Sequence, residues 1–410
     1  MLAAVDADRQ AIDLAHAPLP ALRRPAATMA VLDTTEWFAP TSGGIRTYLL
    51  EKQRYVAARQ ELRHALVVPA AHDAIVERDG ARWYECAGPR VPQNDPYRLL
   101  TSVRRMRRVL AHEQPDVIEL GSPALVPWVL FRALRGRDIP IVNFFHSHFP
   151  ELAAGSARPV PWHRRQLHDA TWWYARRLDA RCSATIAASA FVADDLERAG
   201  IRNVVRIPLG VDLAHFTPAR RANAAATRAE WKLPADGPLV TFVGRFAHEK
   251  ELDVLMDAWP AIERQTGATL VMAGDGPERV ALQQRNTGRQ VHWLPFIADR
   301  ARLADLQAAS RIYMATSPHE TFGLAPLEAM ACGTPVLAAD GGGVREHVLS
   351  SGAGALFAPG NAHDLTEQAV ALLRADLDAH GQRAHEFACR EHSWESVFDR
   401  VFALYEQVRR

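Results

Sequence analysis

The feature that most constrains the fold is a repeated order of short apolar run, turn and amphipathic stretch. The run "MAVLDTTEWF", which begins at Met29, is typical of a buried strand, and "IRTYLLEKQRYVAARQE" beyond the next loop has the spacing of a helix. The order recurs through the first half of the chain, and it starts again with "PLVTFVG" after a polar stretch that ends near Pro234. Strands that alternate with helices favour a parallel sheet covered by helices on both faces. The sequence therefore predicts two doubly wound α/β units.

The length of the chain agrees with two units. A chain of 410 residues is too long for one ordinary core and suits two domains of about 150–200 residues each. The last stretch places its apolar residues on one face of a helix. We therefore predict a flexible N-terminal extension at 1–28, an N-terminal domain at 29–205, a C-terminal domain at 206–390 and a final helix at 391–410.

Charge and cysteine content exclude several classes of protein. The formal net charge is +1 at pH 7, which argues against a nucleic-acid binder. The four cysteines form no Cys-x-x-Cys pair, so we expect reduced thiols and neither a disulfide framework nor a zinc site. The first residues include acidic side chains and no apolar segment of a signal peptide, and the longest apolar run is too short for a membrane span. We expect a cytoplasmic protein.

The second half places basic and glycine residues directly after predicted strands, where ligands collect in open α/β sheets. In "TFVGRFAHEKELDVL", Gly244, Arg245 and Lys250 lie between a strand and a helix, which suits a diphosphate clamp. Surface cations beside an ordinary turn explain this motif equally well. Gly274 lies at the next strand-to-helix turn, although Arg279 occupies the third glycine position of a GxGxxG fingerprint.

Two glutamates mark the stretch "SPHETFGLAPLEAMACGTPVLAA". Glu328 is the single charged side chain between Thr321 and Ala339, and a buried carboxylate is costly without a partner. The pattern predicts a loop that carries Glu320 and then a short helix whose N-terminus suits a phosphate. Glu328, one turn into that helix, is placed to accept two hydrogen bonds from a ribose diol. The alternative is a structural ion pair with a buried arginine such as Arg345.

The spacing Glu320-x7-Glu328 with Gly323, after Gly244-Arg245 and Lys250, resembles the retaining GT-B glycosyltransferases of family 4 (glycosyl transferases group 1). The resemblance implies two Rossmann-like domains that face each other across a cleft. The first would bind the acceptor and the second the nucleotide sugar. The final helix would cross back to pack on the N-terminal domain.

The resemblance also implies roles for individual residues. Arg245 and Lys250 would bind the donor diphosphate, and Glu328 would bind the ribose. Glu320 would contact hydroxyls of the transferred sugar, and the segment at 296–297 would lie beside the nucleobase. The implied donor-binding set is Gly43, Gly44, Gly244, Arg245, Lys250, Gly274, Phe296, Ile297, Glu320, Phe322, Gly323, Leu324 and Glu328. The implied catalytic set is His146, Arg245, Lys250 and Glu320.

The front half contributes two glycines and two histidines to this interpretation. Gly43 and Gly44 follow the first strand, where the family's backbone approaches donor phosphate or acceptor, and a structural turn is the alternative. His146 matches the family's cleft-facing histidine, and we assign His148 a tentative role toward the acceptor. A metal is disfavoured because no carboxylate or cysteine lies at useful spacing, so a structural histidine is the stronger alternative.

The predicted function is transfer of a hexose, mannose or glucose, to a hydroxyl of a glycan, glycolipid or polyol with retention of configuration. The co-substrate would be a nucleotide sugar of the GDP-mannose or UDP-glucose type, with no metal and no other cofactor. One alternative is an NDP-sugar epimerase or NAD-dependent enzyme on twin α/β domains, which the lack of a GxGxxG with a downstream acid disfavours. Another is a non-catalytic protein that binds nucleotide sugars.

A basic and aromatic surface is predicted at 104–108 and 162–177. We expect a buried stripe on the second segment and three tryptophans partly outward near arginines. The stripe is Leu167, Thr171, Tyr174 and Leu178, and the tryptophans are Trp162, Trp172 and Trp173. Such a surface suits peripheral contact with anionic lipid at the inner face of the membrane. Ordinary solvated helices explain it equally well.

Overall fold

The computed structural model describes residues 9–20, 28–38, 43–91, 96–151, 161–286 and 290–410, and within 161–164 it describes the backbone alone. The chain divides into two compact units. The first contains residues 1–187, 193–207 and 398–410, and the second contains residues 188–192 and 208–397.

The first unit has a nine-stranded sheet within the described residues, in the order β1-β4-β5-β3-β2-β6-β7-β8-β9. Its neighbouring strands are parallel from β5 to β9, whereas β4 pairs antiparallel with both β1 and β5. The strands are β1 (Arg9–Ala11), β2 (Met29–Thr34), β3 (Leu62–Ala70), β4 (Ala74–Arg78), β5 (Ala81–Ala87), β6 (Val117–Leu120), β7 (Ile141–Phe144), β8 (Ala184–Ala187) and β9 (Val204–Arg206). The helices in this part of the chain are α1 (Gly44–Ala57), α2 (Val103–Glu113), α3 (Val126–Ala133), α4 (Pro161–Asp179) and α5 (Ala190–Arg198).

The second unit has a parallel sheet of six described strands in the order β12-β11-β10-β13-β14-β15. This is the doubly wound order, in which strands are added to one side of β10 as far as β12 and then, from β13 onward, to its other side. The strands are β10 (Leu239–Val243), β11 (Thr269–Ala273), β12 (Val291–Leu294), β13 (Ile312–Ala315), β14 (Val336–Ala339) and β15 (Gly354–Phe357). From residue 208 onward the helices are α6 (Ala224–Glu230), α7 (Leu252–Thr266), α8 (Arg279–Arg285), α9 (Arg300–Ala308), α10 (Leu324–Ala331), α11 (Gly342–Ser351), α12 (Ala362–Arg374), α13 (Leu377–Glu391) and α14 (Trp394–Arg409), of which α14 belongs to the first unit from Phe398 onward, and two 3-10 turns occupy Pro218–Asn223 and His248–Lys250.

Burial explains why these segments form strands. Every residue of β11, β13 and β14 is buried, as expected for a sheet that is covered on both faces. The core of the second unit gathers around the fully buried Trp259 of α7, with Phe246 and Leu270 beside it. The prediction of two doubly wound α/β units is therefore confirmed.

The last helix joins the first unit from Phe398 onward, as the resemblance implied. The Tyr55 ring stacks on the Phe402 ring at 5.3 Å, and its hydroxyl donates to Asp399 at 2.6 Å. Tyr48 contacts Phe398 at 5.4 Å between ring centroids. Aromatic pairs of this kind contribute more stability than their buried area alone would give, and here they hold the final helix on the first unit.

The prediction of a flexible extension at 1–28 is wrong for residues 9–20. Arg9–Ala11 pair antiparallel with β4, the Arg9 guanidinium lies 2.7 Å from the Glu85 carboxylate, and Leu14 is fully buried. The Ala- and Pro-rich composition conceals this strand because its partner lies more than sixty residues away. The segments at 1–8 and 21–27 lie outside the described residues.

A buried network of charged and phenolic groups, which we call the Lys52 network, lies inside the first unit. The Lys52 ammonium is fully buried and lies 2.7 Å from Asp33 Oδ1 and 3.1 Å from Glu119 Oε2. It donates to the Tyr405 hydroxyl at 2.6 Å, and Tyr405 in turn donates to Glu119. His64 Nε2 lies 2.6 Å from Asp33 Oδ2. The network thus joins α1, three strands and the final helix.

Candidate active site

The loops after β10 and β11 approach each other so closely that glycine is required. A Cβ added to Gly274 would lie 1.9 Å from the Gly244 carbonyl oxygen, and one added to Gly276 would lie 2.3 Å from the Phe246 carbonyl oxygen. Gly274 also has a φ of +144°, a conformation that residues with a side chain rarely adopt. Close packing between the two loops therefore accounts for the glycines at 274 and 276. It holds the loop of Arg245 and Lys250 against the loop after β11.

Two predicted site residues from different loops are in contact. The Lys250 ammonium donates to the Glu320 carboxylate, and both side chains are about three-quarters buried. The loop after β13 is tied to the loop after β10, because Thr316 Oγ1 donates to the Lys250 carbonyl at 2.5 Å and Ser317 Oγ donates to the Glu249 carbonyl at 2.6 Å. Arg245 lies five residues before Lys250, in the loop after β10, and its side chain is exposed. The structure therefore joins a cation and a carboxylate at the carboxyl ends of adjacent strands.

The glycine-rich turn before α11 holds the loop of Glu320. The Gly343 amide donates to the Glu320 carbonyl at 2.6 Å, and a Cβ added to Gly342 would lie 2.7 Å from that oxygen. Gly323 precedes α10 with a φ of +90°, and a Cβ there would lie 2.3 Å from Val344. The turn therefore fixes the start of α10, where the amides of its first turn are not bonded within the helix.

Glu328 is buried in α10, with only 4% of its surface exposed. Its Oε1 accepts a hydrogen bond from Arg300 Nη2 at 3.2 Å. The alternative partner from the sequence, Arg345, is instead about half exposed and bonded to Asp340 at 2.5 Å. The structure therefore shows the ion pair that the sequence offered as the alternative to a ribose ligand, with Arg300 on α9 in place of Arg345. Binding of a ribose by Glu328 stays a prediction.

The segment predicted to lie beside the nucleobase forms the loop between β12 and α9. Phe296 is 46% exposed, and Ile297 is half-buried. Asp299 caps α9 by accepting from the Ala301 amide at 2.9 Å and the Arg302 amide at 3.2 Å. An exposed phenyl ring in a capped loop is available to an incoming planar group.

The remaining residues predicted around α10 divide between packing and exposed backbone. Phe322 is buried, with its ring edge-on to His347 at 4.6 Å, and Leu324 is half-buried as the first residue of the helix. Burial lowers the pKa of His347 to about 3. The Phe322 side chain therefore belongs to the core of the unit, and only its backbone is open to a ligand role.

In the first unit, Gly43 and Gly44 form the start of α1. A Cβ added to Gly43 would meet nothing within 4 Å, so packing among the described residues does not require glycine there. Its φ of −82° and ψ of −112° lie outside the regions that residues with a side chain favour, so backbone conformation is a sufficient reason for a glycine. The approach of a ligand to this turn stays a prediction.

His146 and His148 have different surroundings. The His146 ring stacks on the Phe144 ring at 3.9 Å and lies edge-on to Tyr48 at 5.2 Å. Burial lowers the pKa of His146 to about 3, with a further decrease from the charge of Lys52. His148 is 2% exposed, and its Nε2 lies 2.8 Å from Asp195 Oδ2. His146 is therefore neutral at physiological pH, whereas the His148 side chain is engaged inside the unit.

The aromatic surface on α4 differs from its prediction. Trp173 is 54% exposed with the Arg177 guanidinium 5.1 Å from its ring, as expected, but Trp172 is buried against His148. Leu167, expected on the buried stripe, is 38% exposed. The buried stripe of the described side chains is instead set by Trp172, Ala175 and Leu178, and the Trp162 side chain lies outside the described residues.

Sequence reasoning missed two groups near the predicted site. Arg300 follows a capping aspartate at the end of the predicted nucleobase segment, so its position at the start of α9 was a usable signal. Lys52 is one of three lysines in the chain, but nothing in its helical context indicates burial. In the described part of the chain, no group of three or more His, Cys, Asp or Glu side chains is placed to hold a metal.

Two family models match the chain, and together they span both units. Glycosyltransferase Family 4 matches residues 42–215, and Glycosyl transferases group 1 matches residues 223–387. The final helix lies beyond both matches.

Relatives agree with these matches over most of the chain. A GDP-mannose-dependent alpha-(1-6)-phosphatidylinositol dimannoside mannosyltransferase of Mycobacterium tuberculosis is 33% identical over 312 residues, which cover 75% of this chain and 79% of the relative. A GDP-mannose-dependent alpha-mannosyltransferase of the same species is 30% identical over 385 residues, which cover 91% and 95%. Sucrose-phosphate synthase from Thermosynechococcus elongatus shares the fold, with a TM-score of 0.75 at 22% identity over 93% of this chain and 99% of that chain. The chain therefore belongs to glycosyltransferase family 4, the glycosyl transferases group 1, and has the GT-B fold.

Proposed function

We propose that this glycosyltransferase moves mannose from GDP-mannose to a hydroxyl of a glycolipid or lipid-linked polyol, with retention of configuration and without a metal. The observation that carries the donor is that relatives 33% and 30% identical, over most of their lengths, are GDP-mannose-dependent mannosyltransferases. The first of these is named for a phosphatidylinositol dimannoside, and this supports a lipid acceptor. Retention is carried over from the family resemblance. UDP-glucose remains the second donor to test.

The contact between Lys250 and Glu320 supports a donor that carries both a diphosphate and sugar hydroxyls. A diphosphate would draw the Lys250 ammonium away from the carboxylate, and Glu320 would then accept hydrogen bonds from the sugar. Lys250 and Arg245 would stabilise the negative charge that develops on the departing nucleoside diphosphate. Groups fixed in advance around developing charge usually provide the largest single contribution to catalysis.

His146 would serve as a neutral hydrogen-bonding group. Burial lowers its pKa to about 3, so at physiological pH the imidazole is neutral and lacks the second ring proton that an imidazolium could give up as an acid. It can still donate one hydrogen bond and accept another, which suits contact with a sugar hydroxyl. Activity should therefore show no dependence on the charge of His146 between about pH 5 and pH 8.

A lipid acceptor would require the protein to reach a membrane surface. Within the described residues, no helix combines the length and apolar character that crossing a bilayer needs. Trp173 is exposed beside Arg177 on α4, and Arg104 and Arg107 are exposed on α2. We propose peripheral contact of these side chains with anionic lipid at the inner face of the membrane, for a protein that is otherwise cytoplasmic.

The test is a transfer assay with the full chain, radiolabelled GDP-mannose or UDP-glucose, and anionic lipid vesicles that contain phosphatidylinositol mannosides. Labelled lipid from GDP-mannose, with an α-anomeric signal in the NMR spectrum of the product, is the expected result, and EDTA should leave the rate unchanged. Transfer from UDP-glucose alone would replace the donor. Tight binding of GDP without transfer to any acceptor or to water would instead support a non-catalytic binding protein.

A further inference from the structure

Arg300 is the charged partner of Glu328, and the two lie on different helices of the second unit. Arg300 begins α9, and Glu328 lies in the second turn of α10. The Arg300 Nη2 donates to Glu328 Oε1 at 3.2 Å, and 26% of the Arg300 side chain is exposed. A carboxylate among apolar side chains is costly without a partner, and the Arg300 guanidinium supplies a cation that compensates Glu328 in α10.

Aromatic packing holds the guanidinium in place. Its central carbon lies 4.9 Å from the centre of the Phe216 ring, and Phe216 is fully buried. The Asp299 cap fixes the first turn of α9 and thus the backbone from which Arg300 extends. An arginine stacked on a ring presents its planar donors in one direction.

The contacts of Arg300 differ from those of an arginine that joins parts of a fold. Arg221, for comparison, donates to the carbonyl oxygens of Ala308 and Gly333. In the described residues Arg300 contacts no backbone carbonyl, and its buried Nε makes no hydrogen bond. Its interactions are therefore directed at one carboxylate and one ring.

We propose that Arg300 is a positioning residue for donor binding, which orients the Glu328 carboxylate toward the ribose diol of the nucleotide. This inference rests on the proposed function and on the role that the family resemblance implies for Glu328, which is to bind that diol. Arg300 acts through Glu328 and does not touch the donor. Its loss therefore weakens recognition of the ribose hydroxyls and leaves the contacts with the base and the phosphates intact.

The chain offers a matched control in Arg302, two residues further along α9. Arg302 also combines an ion pair with aromatic stacking. Its Nη2 lies 2.6 Å from Glu230 Oε1, and its central guanidinium carbon lies 4.4 Å from the centre of the Trp231 ring. Both members of this pair are about half exposed, and neither belongs to the proposed donor site. Arg302→Met removes the same types of interaction from the same helix and should not affect ribose recognition.

The experiment measures binding of GDP and 2′-deoxy-GDP by titration calorimetry to the full chain. The wild type and Arg302→Met should bind GDP about 10- to 100-fold more tightly than 2′-deoxy-GDP, the usual effect of one hydrogen bond to a charged group. In Arg300→Met this ratio should fall to about 3 or less, while the affinity for 2′-deoxy-GDP stays within about twofold of the wild type. Glu328→Gln should lower the ratio similarly, and the double variant should lower it no further.

Other outcomes overturn the inference and separate it from the proposed function. A wild-type ratio retained in Arg300→Met, or an equal loss of affinity for both nucleotides, would exclude a role through Glu328 while the donor proposal stands. Tight GDP binding by the wild type with no discrimination against 2′-deoxy-GDP would remove Glu328 as the ribose ligand. No binding of GDP at all would overturn the inference together with the proposed donor. If Arg300→Met does not fold, Arg300→Lys decides, because lysine keeps the charge but loses the planar fork, and an unchanged ratio there refutes the inference.

Discussion

Replacing Lys52 with methionine tests whether the Lys52 network stabilises the first unit through charge compensation. The ammonium is fully buried between Asp33 and Glu119 at 2.7 and 3.1 Å, so the substitution leaves two carboxyl groups without a cation. Burial raises the pKa of Asp33, but the charges of Lys52 and His64 lower it more, and the net result is a lowered pKa. Burial raises the pKa of Glu119, which can therefore take up a proton once Lys52 is lost.

The expected loss for Lys52→Met is about 3–5 kcal/mol of unfolding free energy, the usual cost of removing one partner from a buried ion pair. The loss should depend on pH. Without Lys52, burial should raise the pKa of Asp33 above its unfolded value, so that stability is lost as the pH rises through that range. The deficit at about pH 7.5 should therefore exceed the deficit at about pH 4.5 by roughly 1–2 kcal/mol, about one pKa unit or slightly more.

Hydrogen exchange of the amides in β2 and α1 is the suitable assay, because it reports on the first unit of a chain that has two. Arg104→Met, at an exposed cation of the first unit, is the control and should change stability by less than about 0.5 kcal/mol. Adding Asp33→Asn to Lys52→Met should restore about 1–3 kcal/mol, since Glu119 is then the one carboxyl group of the pair left without its cation, and its raised pKa lets it take up a proton. A loss that is equal at both pH values, or a double variant that is no better than the single one, would show that Lys52 contributes by packing and would refute the argument.

Three further predictions concern the second unit. Lys250→Ala should lower the rate of transfer by about 10²–10³-fold in a fixed-time assay while the chain stays folded, because one charge contact to the leaving group is lost. Lys232→Ala is the control and should keep normal activity. Near-normal activity of Lys250→Ala would remove Lys250 from the site. Gly274→Ala should lower the free energy of unfolding, measured by thermal unfolding, by about 2–5 kcal/mol, since the added Cβ would lie 1.9 Å from a carbonyl oxygen at a residue with positive φ. Gly267→Ala is the control: its φ is +64° but the space around it is open, so the loss should be only about 1 kcal/mol. Equal losses in the two variants would contradict the clash. His347→Phe should reduce the stability lost between about pH 7.5 and pH 5.5 by about 1.4 kcal/mol, as measured by denaturant titrations at the two pH values. Burial lowers the pKa of folded His347 to about 3, so only the unfolded chain takes up a proton on this histidine below about pH 6.5. The exposed His363→Gln should leave the loss unchanged, and an unaltered pH dependence of stability in His347→Phe would contradict the assignment.

Much of the fold could be predicted from the sequence because its signals are local. The alternation of apolar runs and amphipathic stretches predicts both sheets, and the position of a residue after a strand predicts the edge of the sheet on which it lies. Glu320 and Lys250 were both placed at strand ends by this reasoning, and the structure brings them together. The contact itself depends on β10 and β13 being neighbours in the sheet, an order that the sequence pattern did not predict.

Other features could not be predicted because they depend on which distant segments meet. Residues 9–11 become a strand only through pairing with β4, and the burial of Trp172 depends on His148 and Phe145 from another segment. The helical stripe predicted from spacing alone is displaced by one position on α4 at Trp172 and Ala175, whereas Leu178 is buried as predicted. Local pattern gives no information about the surface that a helix will meet.

By itself, the sequence determined that this chain forms two doubly wound α/β units and that Gly244, Lys250 and Glu320 lie in loops after strands. It also indicated that Glu328 needs a partner, since a charge among apolar residues always does. Only the tertiary structure decided that the partner is Arg300, and that Lys52 is buried against Tyr405, which lies 353 residues away. The physical reason is that periodicity and composition act along the chain, whereas the pairing of buried charges depends on distances between segments that folding alone brings together.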